Sequence, residues 1–141
     1  MLSWFQRLVN FSSGENAGAR GEKQAADWLE KNRRFVVVAR NWRDPRDRRR
    51  EIDLICRDRE VLVFVEVKAR AEGSLVPGYY AVNKRKRKAM KQAIDAYLSQ
   101  LRPAPHTFRF DIVEVSQSIG RTPPEVLHFE NIPLFSKQYR G

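Results

Sequence analysis

Cysteine is almost missing. Cys56 stands alone in 141 residues, so neither an intrachain disulfide nor a Cys-based zinc site can form. Histidine is nearly as scarce: His106 and His128 stand apart, without metal-ligand spacing, and both read as structural. Long apolar runs are missing too. None is longer than Val61–Val65, far short of the roughly 20 residues a membrane helix needs, so no stable membrane insertion is expected. Trp4, Phe5, Leu8 and Val9 share one face of a short N-terminal helix. They lack the longer apolar stretch and the cleavage site of a signal peptide. The chain therefore reads as cytoplasmic, with Cys56 reduced and buried. Negative charge is in deficit as well. Asp plus Glu number 17 against 27 Lys plus Arg, a net charge of +10. That excess points to a polyanionic partner, nucleic acid first, over an acidic protein or an anionic membrane.

What is present suffices for one folded domain. Hydrophobic residues make up 42% of the chain and aromatics 11%, enough for a core at this length. The expected division is an N-terminal segment 1–13, a single domain 14–130, and a polar basic tail 131–141. Glu22, Ala25, Ala26 and Leu29 recur at helical spacing and predict a helix over 17–32. Phe35–Ala39 is a β-branched strand, and 42–50 reads as a loop or hairpin turn. Glu51–Cys56 alternates polar and apolar residues, as a half-buried strand does. Arg57–Glu60 is a turn, and Val61–Val67 reads as a strand buried on both faces. Loop is expected over 71–83. A second helix, 84–101, carries Met90, Ile94, Tyr97, Leu98 and Leu101 on one stripe. Strands follow at Phe108–Val115 and Val126–Phe129. The order αβββαββ predicts an α/β fold, a mixed sheet with a helix at each flank.

The chemistry-bearing constellation is Asp53 with Glu66-Val67-Lys68. Glu66 and Lys68 share one face of their strand, and the valines share the other. A Glu and a Lys two apart are ordinarily just an ion pair at a sheet edge. Here they end a strongly apolar strand, and an acidic residue stands on the neighbouring strand. Counting around a four-residue turn places Asp53 opposite Phe64, two positions from Glu66 and roughly 7–8 Å away on the diagonal. Two carboxylates at that spacing suit one divalent cation, Mg²⁺ or Mn²⁺, which takes one or two carboxylates plus water and phosphate oxygens. Such a cation polarises a phosphodiester and acidifies a bound water. Lys68 beside it can orient or deprotonate that water, or neutralise the developing phosphorane. Glu22 on the first helix can supply a third carboxylate.

Gly18-x-x-Gly21-Glu22, Asn41-Trp-Arg43, Glu51-Ile-Asp-Leu-Ile55 and Leu62-Val-Phe-Val-Glu-Val-Lys68, in this order, resemble the YraN-like family of small bacterial proteins. That family is similar to the restriction-endonuclease-like nucleases, near the archaeal Holliday junction resolvases. The resemblance spans about residues 14–115. It implies a restriction-endonuclease-like core with a metal-dependent phosphodiesterase site. Asp53 and Glu66 would bind the metal, with the Val67 carbonyl as a further ligand. Lys68 would be the catalytic lysine and Glu22 the helix-borne acid. Two positions depart from the patterns: Ile52 replaces a Pro common in the wider group, and Arg50 replaces a Gly before Glu-Ile-Asp. Resolvase-like proteins are usually dimers, so the resemblance admits a homodimer.

The positive charge is concentrated on either side of this constellation. Arg48, Arg49 and Arg50 precede Asp53, and Lys84, Arg85, Lys88 and Lys91 open the second helix. Lys84, Lys88 and Lys91 fall on one helix face, opposite the apolar stripe, and suit the phosphate backbone. Tyr79 and Tyr80 suit equally stacking on unpaired bases and ordinary packing. Trp28 and Trp42 read as packing residues. The expected activity is metal-dependent endonucleolytic cleavage of DNA, branched DNA included. Two other readings are a non-catalytic nucleic-acid-binding module and a protein-docking role for the basic helix.

Overall fold

The computed structural model describes residues 17–71, 84–117 and 123–134. The N-terminal Trp4–Val9 patch, most of the loop expected over 71–83 with Tyr79 and Tyr80, and most of the basic tail lie outside the described residues. Helix α1 spans Ala17–Trp28 and runs on as one wide turn, Leu29–Arg33. Its stripe is what the spacing demands: Ala25, Ala26 and Leu29 are wholly buried, and Glu22 is 8% exposed. The helix stops at Arg34, which adopts a left-handed φ of 58° and returns its N–H to the Leu29 carbonyl.

Five strands follow: β1 (Val36–Asp44), β2 (Asp47–Asp58), β3 (Val61–Ala71), then helix α2 (Lys84–Leu98), β4 (Thr107–Gln117) and β5 (Val126–Phe129). They form one sheet in the order β1-β2-β3-β4-β5. Strands β3 and β4 are parallel and joined through α2, and the other neighbours are antiparallel. The αβββαββ order and the mixed α/β sheet agree with a nuclease-like core. Helix α1 covers one face, packing on Leu54, Cys56, Val63, Val65, Val113 and Val115. Helix α2 covers the other, packing on Ile52, Ile55, Phe64, Phe110 and Ile112 through Met90, Ala93 and Ile94. Trp42 meets Tyr97 edge-on at 5.3 Å between ring centroids, so it packs as expected. Cys56 is buried, and burial pushes its thiol up to about 12. Among the described residues no helix is long and apolar enough to cross a membrane.

Two expectations need correction. The stretch 42–50 is not a loop. Strand β1 runs through Trp42 to Asp44, and β2 already begins at Asp47. On an edge strand the backbone pairs while polar side chains face water, so Arg40, Asn41 and Arg43 carry no strand signal in their composition. The ladder steps from Arg43↔Glu51 to Asp44↔Asp47. Arg48, Arg49 and Arg50 therefore bulge from the hairpin. No glycine is needed at Arg50, because the backbone there stays in the strand rather than in a positive-φ turn. The second correction concerns the β2–β3 turn. It is Arg59-Glu60, with Arg59 at a φ of 56°, not four residues. The register is Asp58↔Val61 and Cys56↔Val63, so Cys56 does not face Val61 and Asp53 does not face Phe64.

Candidate metal centre and phosphate-binding surface

The shorter turn has a direct consequence. The β2–β3 ladder runs from Asp58↔Val61 to Leu54↔Val65, and one further step brings Asp53 level with Glu66. There the strands cease to pair in the ordinary way. The Val67 N–H donates to Asp53 Oδ2 at 2.9 Å, so a side-chain carboxylate replaces a ladder carbonyl. Leu54 and Cys56 join the core under α1 while Ile52 joins the core under α2, so the regular alternation of β2 breaks at Asp53. The carboxylate is wedged where β2 and β3 part.

Three acids and two lysines meet there. Asp53 and Glu66 are each 6% exposed. Glu22 reaches in from α1 and forms hydrogen bonds with Asp53 and with the Asn41 side chain. Lys68 Nζ lies 3.6 Å and Lys86 Nζ 2.9 Å from the same Glu66 oxygen, Oε1. The structure thus brings together Glu22, Asp53, Glu66 and Lys68, as the sequence suggested. It adds Asn41, Lys86 and, at the margin, Glu51. Asn41 occupies the left-handed region at a φ of 49°, which asparagine tolerates better than most residues. That conformation sits beside its bond to Glu22. Glu51 is paired with Arg43 at 3.3 Å. A helical-stripe count could have found Lys86, because it continues the inward stripe of Met90, Ala93 and Ile94 toward the start of α2.

The electrostatics separate the acids. Burial, then the charges of Glu66 and Glu22, lift Asp53 well above the usual carboxylate range, and the Val67 N–H offsets only part of that. Burial also raises Glu22, against the bonds from Asn41 and Asp53. Burial would raise Glu66 too, but Lys86 and then Lys68 outweigh it and hold Glu66 low. Burial pulls Lys68 down to about 8; Glu66 opposes that shift and Lys86 reinforces it. Without a cation, two neighbouring acids and burial thus work against the charged form of Asp53. On the same sheet face, Glu114 lies level with Lys68. It is wholly buried, and burial raises it.

The donor set suits a hard divalent cation, since every candidate ligand is an oxygen. Among the described residues no three acidic, His or Cys side chains are arranged to hold a metal on their own. A cation here would draw on Asp53, Glu66, a backbone oxygen such as that of Val67, and water, which is ordinary for Mg²⁺.

The basic residues differ in how committed they are. Arg49 is bound to Asp47 by two side-chain hydrogen bonds, 2.9 and 3.0 Å long, and Arg50 reaches Asp44 at 3.3 Å. Asp44 is wholly buried beneath Arg46 and Arg50, so part of the arginine bulge stiffens the hairpin. Arg48 is exposed near the start of β2. Lys84, Arg85 and Lys88 are exposed on α2, and Lys91 is half-buried. The His128 side chain is buried and paired with Asp111 on the α1 face, away from the lysines.

A family described as "Uncharacterised protein family UPF0102" matches residues 21–115. A UPF0102 protein of Geobacter metallireducens is 33% identical over 117 residues, 83% of this chain and 91% of its own. One from Anaeromyxobacter dehalogenans is 38% identical over 112 residues, 79% of each chain. One from Chlorobaculum tepidum is 43% identical over 100 residues, 70% of this chain and 73% of its own.

Proposed function

The chain belongs to the UPF0102 family, the YraN-like group its motifs resemble, and on that premise we propose that it is a divalent-metal-dependent DNA endonuclease acting in the bacterial cytoplasm. The observation that carries this reading is the crowding of Glu22, Asp53 and Glu66 at the parting of β2 and β3. Burying carboxylates side by side is costly unless a cation or proton joins them. A structural role would be met more cheaply by apolar side chains. Asp53 and Glu66 would hold Mg²⁺ or Mn²⁺, which supplies Lewis-acid polarisation of the phosphodiester and a more acidic water.

The chain's own groups do the rest. Lys68, with its amine brought down to about 8, has a neutral fraction near neutral pH that can take a proton from the attacking water. Its protonated form can instead neutralise charge at phosphorus. Glu22, held by Asn41, keeps Asp53 aimed into the site. The exposed Arg48, Lys84, Arg85 and Lys88 guide the phosphate backbone without reading sequence. DNA, including branched DNA, is the substrate class the family resemblance favours, and a homodimer would match a two-fold junction.

The test is a cleavage assay on junction, flap, single-stranded and linear DNA with Mg²⁺ or Mn²⁺. Cleavage that needs the metal and disappears in Asp53→Ala supports the proposal. Salt-sensitive binding with no cleavage of any substrate, DNA or RNA, would replace it with a non-catalytic binding module.

A further inference from the structure

Lys86 sits in the first turn of α2 and is the nearer of the two lysines on Glu66, 2.9 Å from Oε1 against 3.6 Å for Lys68. Two lysines thus crowd one carboxylate oxygen and each other, more than a single Glu needs as counter-ion. Their surroundings differ. Lys68 is fixed on the strand that carries Glu66, with 12% of its side chain exposed. Lys86 reaches in from a different element and keeps 28% of its side chain exposed, on a flexible four-carbon stem. Lys86 can turn outward while Lys68 stays.

Mg²⁺ binds a carboxylate oxygen at about 2.0–2.1 Å. An ammonium hydrogen-bonded to the same oxygen competes with it for lone pairs and repels its charge. Outward from Lys86, α2 presents Lys84, Arg85 and Lys88 to solvent. The side chain thus connects the acidic site to the surface that faces phosphate.

We propose that Lys86 is a displaceable counter-ion of Glu66: it occupies the carboxylate in the metal-free protein, yields it to the divalent cation, and then turns toward a phosphate group held on α2. This rests on the metal-centre reading above. Metal and nucleic acid are coupled through it, because phosphate on α2 draws away the charge that competes with the metal.

The experiment is Mn²⁺ titration of the nucleic-acid-free protein, followed by the EPR signal of free Mn²⁺, for wild type, Lys86→Met and Lys88→Met. Lys86→Met should bind Mn²⁺ about tenfold more tightly, the equivalent of one unit in the logarithm of the binding constant, while Lys88→Met stays within about twofold of wild type, as an exposed charge on the same helix should. Should Lys86→Met fail to fold, Lys86→Gln keeps a polar tip without the charge and is read by the same criterion. Measurable Mn²⁺ binding that is equal or weaker in the Lys86 variant overturns the counter-ion role and leaves the metal centre standing. Mn²⁺ binding by none of the proteins overturns both.

Discussion

Two buried aspartates of this protein meet opposite fates. Asp111 on β4 is wholly buried under α1, and every neighbour is a donor. His128 Nε2 lies 2.8 Å away, Arg109 binds it at 3.0 and 3.2 Å, and the Asn131 N–H donates at 2.9 Å. Arg109 is itself shared with Asp58 at 3.1 Å, and Trp28 and Phe35 set ring edges against His128. Asp53 on β2 has one backbone donor; its side-chain hydrogen-bond partners are the acids Glu22 and Glu66, and the nearby Lys68 and Lys86 pair with Glu66 instead. Burial works to raise both groups. His128, Arg109 and the Asn131 amide outweigh it at Asp111 and hold that carboxyl low. Nothing comparable exists at Asp53. Burial therefore does not distinguish a structural acid from one poised for a cation, whereas the balance of donors around it does.

The largest effect should come from the acid-crowded site. Asp53→Ala, Glu66→Ala and Lys68→Ala should each lower metal-dependent cleavage by about 10²–10⁴-fold, the range for a lost acid–base or charge-stabilising group. The thermal midpoint of Asp53→Ala should hold, as measured by circular dichroism, because the substitution removes an acid crowded by other acids. Activity surviving in all three would erase the contrast between the two aspartates.

Asp111→Ala should do the reverse. It strands Arg109 and His128 in the core and should cost about 3–5 kcal/mol of stability, as breaking a buried ionic network does. Denaturant melts measure this, and the specific activity of the folded fraction should change little. A stable Asp111→Ala protein would show that the donor-rich cluster is dispensable.

A smaller effect concerns pH. In EDTA, the raised Asp53 contributes stability fully present below the ordinary aspartate pKa, about 3.9, and lost as pH rises through its higher folded value. Metal-free protein should therefore lose stability as the buffer is raised above that ordinary value, and Asp53→Asn should flatten that slope. Mg²⁺ or Mn²⁺ should stabilise more at the upper end, where no proton competes. Asp111 carries the opposite sign: its contribution is present above the ordinary aspartate pKa and lost as pH falls through its lowered value. An EDTA melting profile with no dependence on Asp53 would remove the electrostatic half of the comparison.

The smallest effect lies on the surface. Lys88→Ala should weaken DNA binding uniformly across sequences and reduce the slope of log affinity against log salt by about one. An unchanged slope would place the phosphate backbone elsewhere.

Much of this was legible in the residue pattern, for definite reasons. The stripe of Glu22, Ala25, Ala26 and Leu29 could turn only one face inward, and α1 does so. Val61–Val67 could be satisfied only by burial on both faces, and β3 lies under both helices. Motif order sufficed for the family, because Glu-Ile-Asp and Glu-Val-Lys at these spacings are covalent facts. What stayed hidden was relational. Trp42–Asp44 carries loop-like composition on an edge strand. Asp111 looked like any polar residue of an alternating strand, and His128 looked solitary, since their meeting depends on the pairing of β4 with β5.

Composition, motif and local periodicity determined the charge excess, the αβββαββ order and the acids and lysine that belong together. The tertiary structure decided the rest. A two-residue turn set Asp53 level with Glu66, the parting of β2 and β3 turned the Val67 N–H onto its carboxylate, and packing of α2 drove Lys86 onto Glu66. The physical reason is that side-chain periodicity is a local property of the backbone, whereas register and counter-ion placement are fixed by turns and packing between segments distant in the chain.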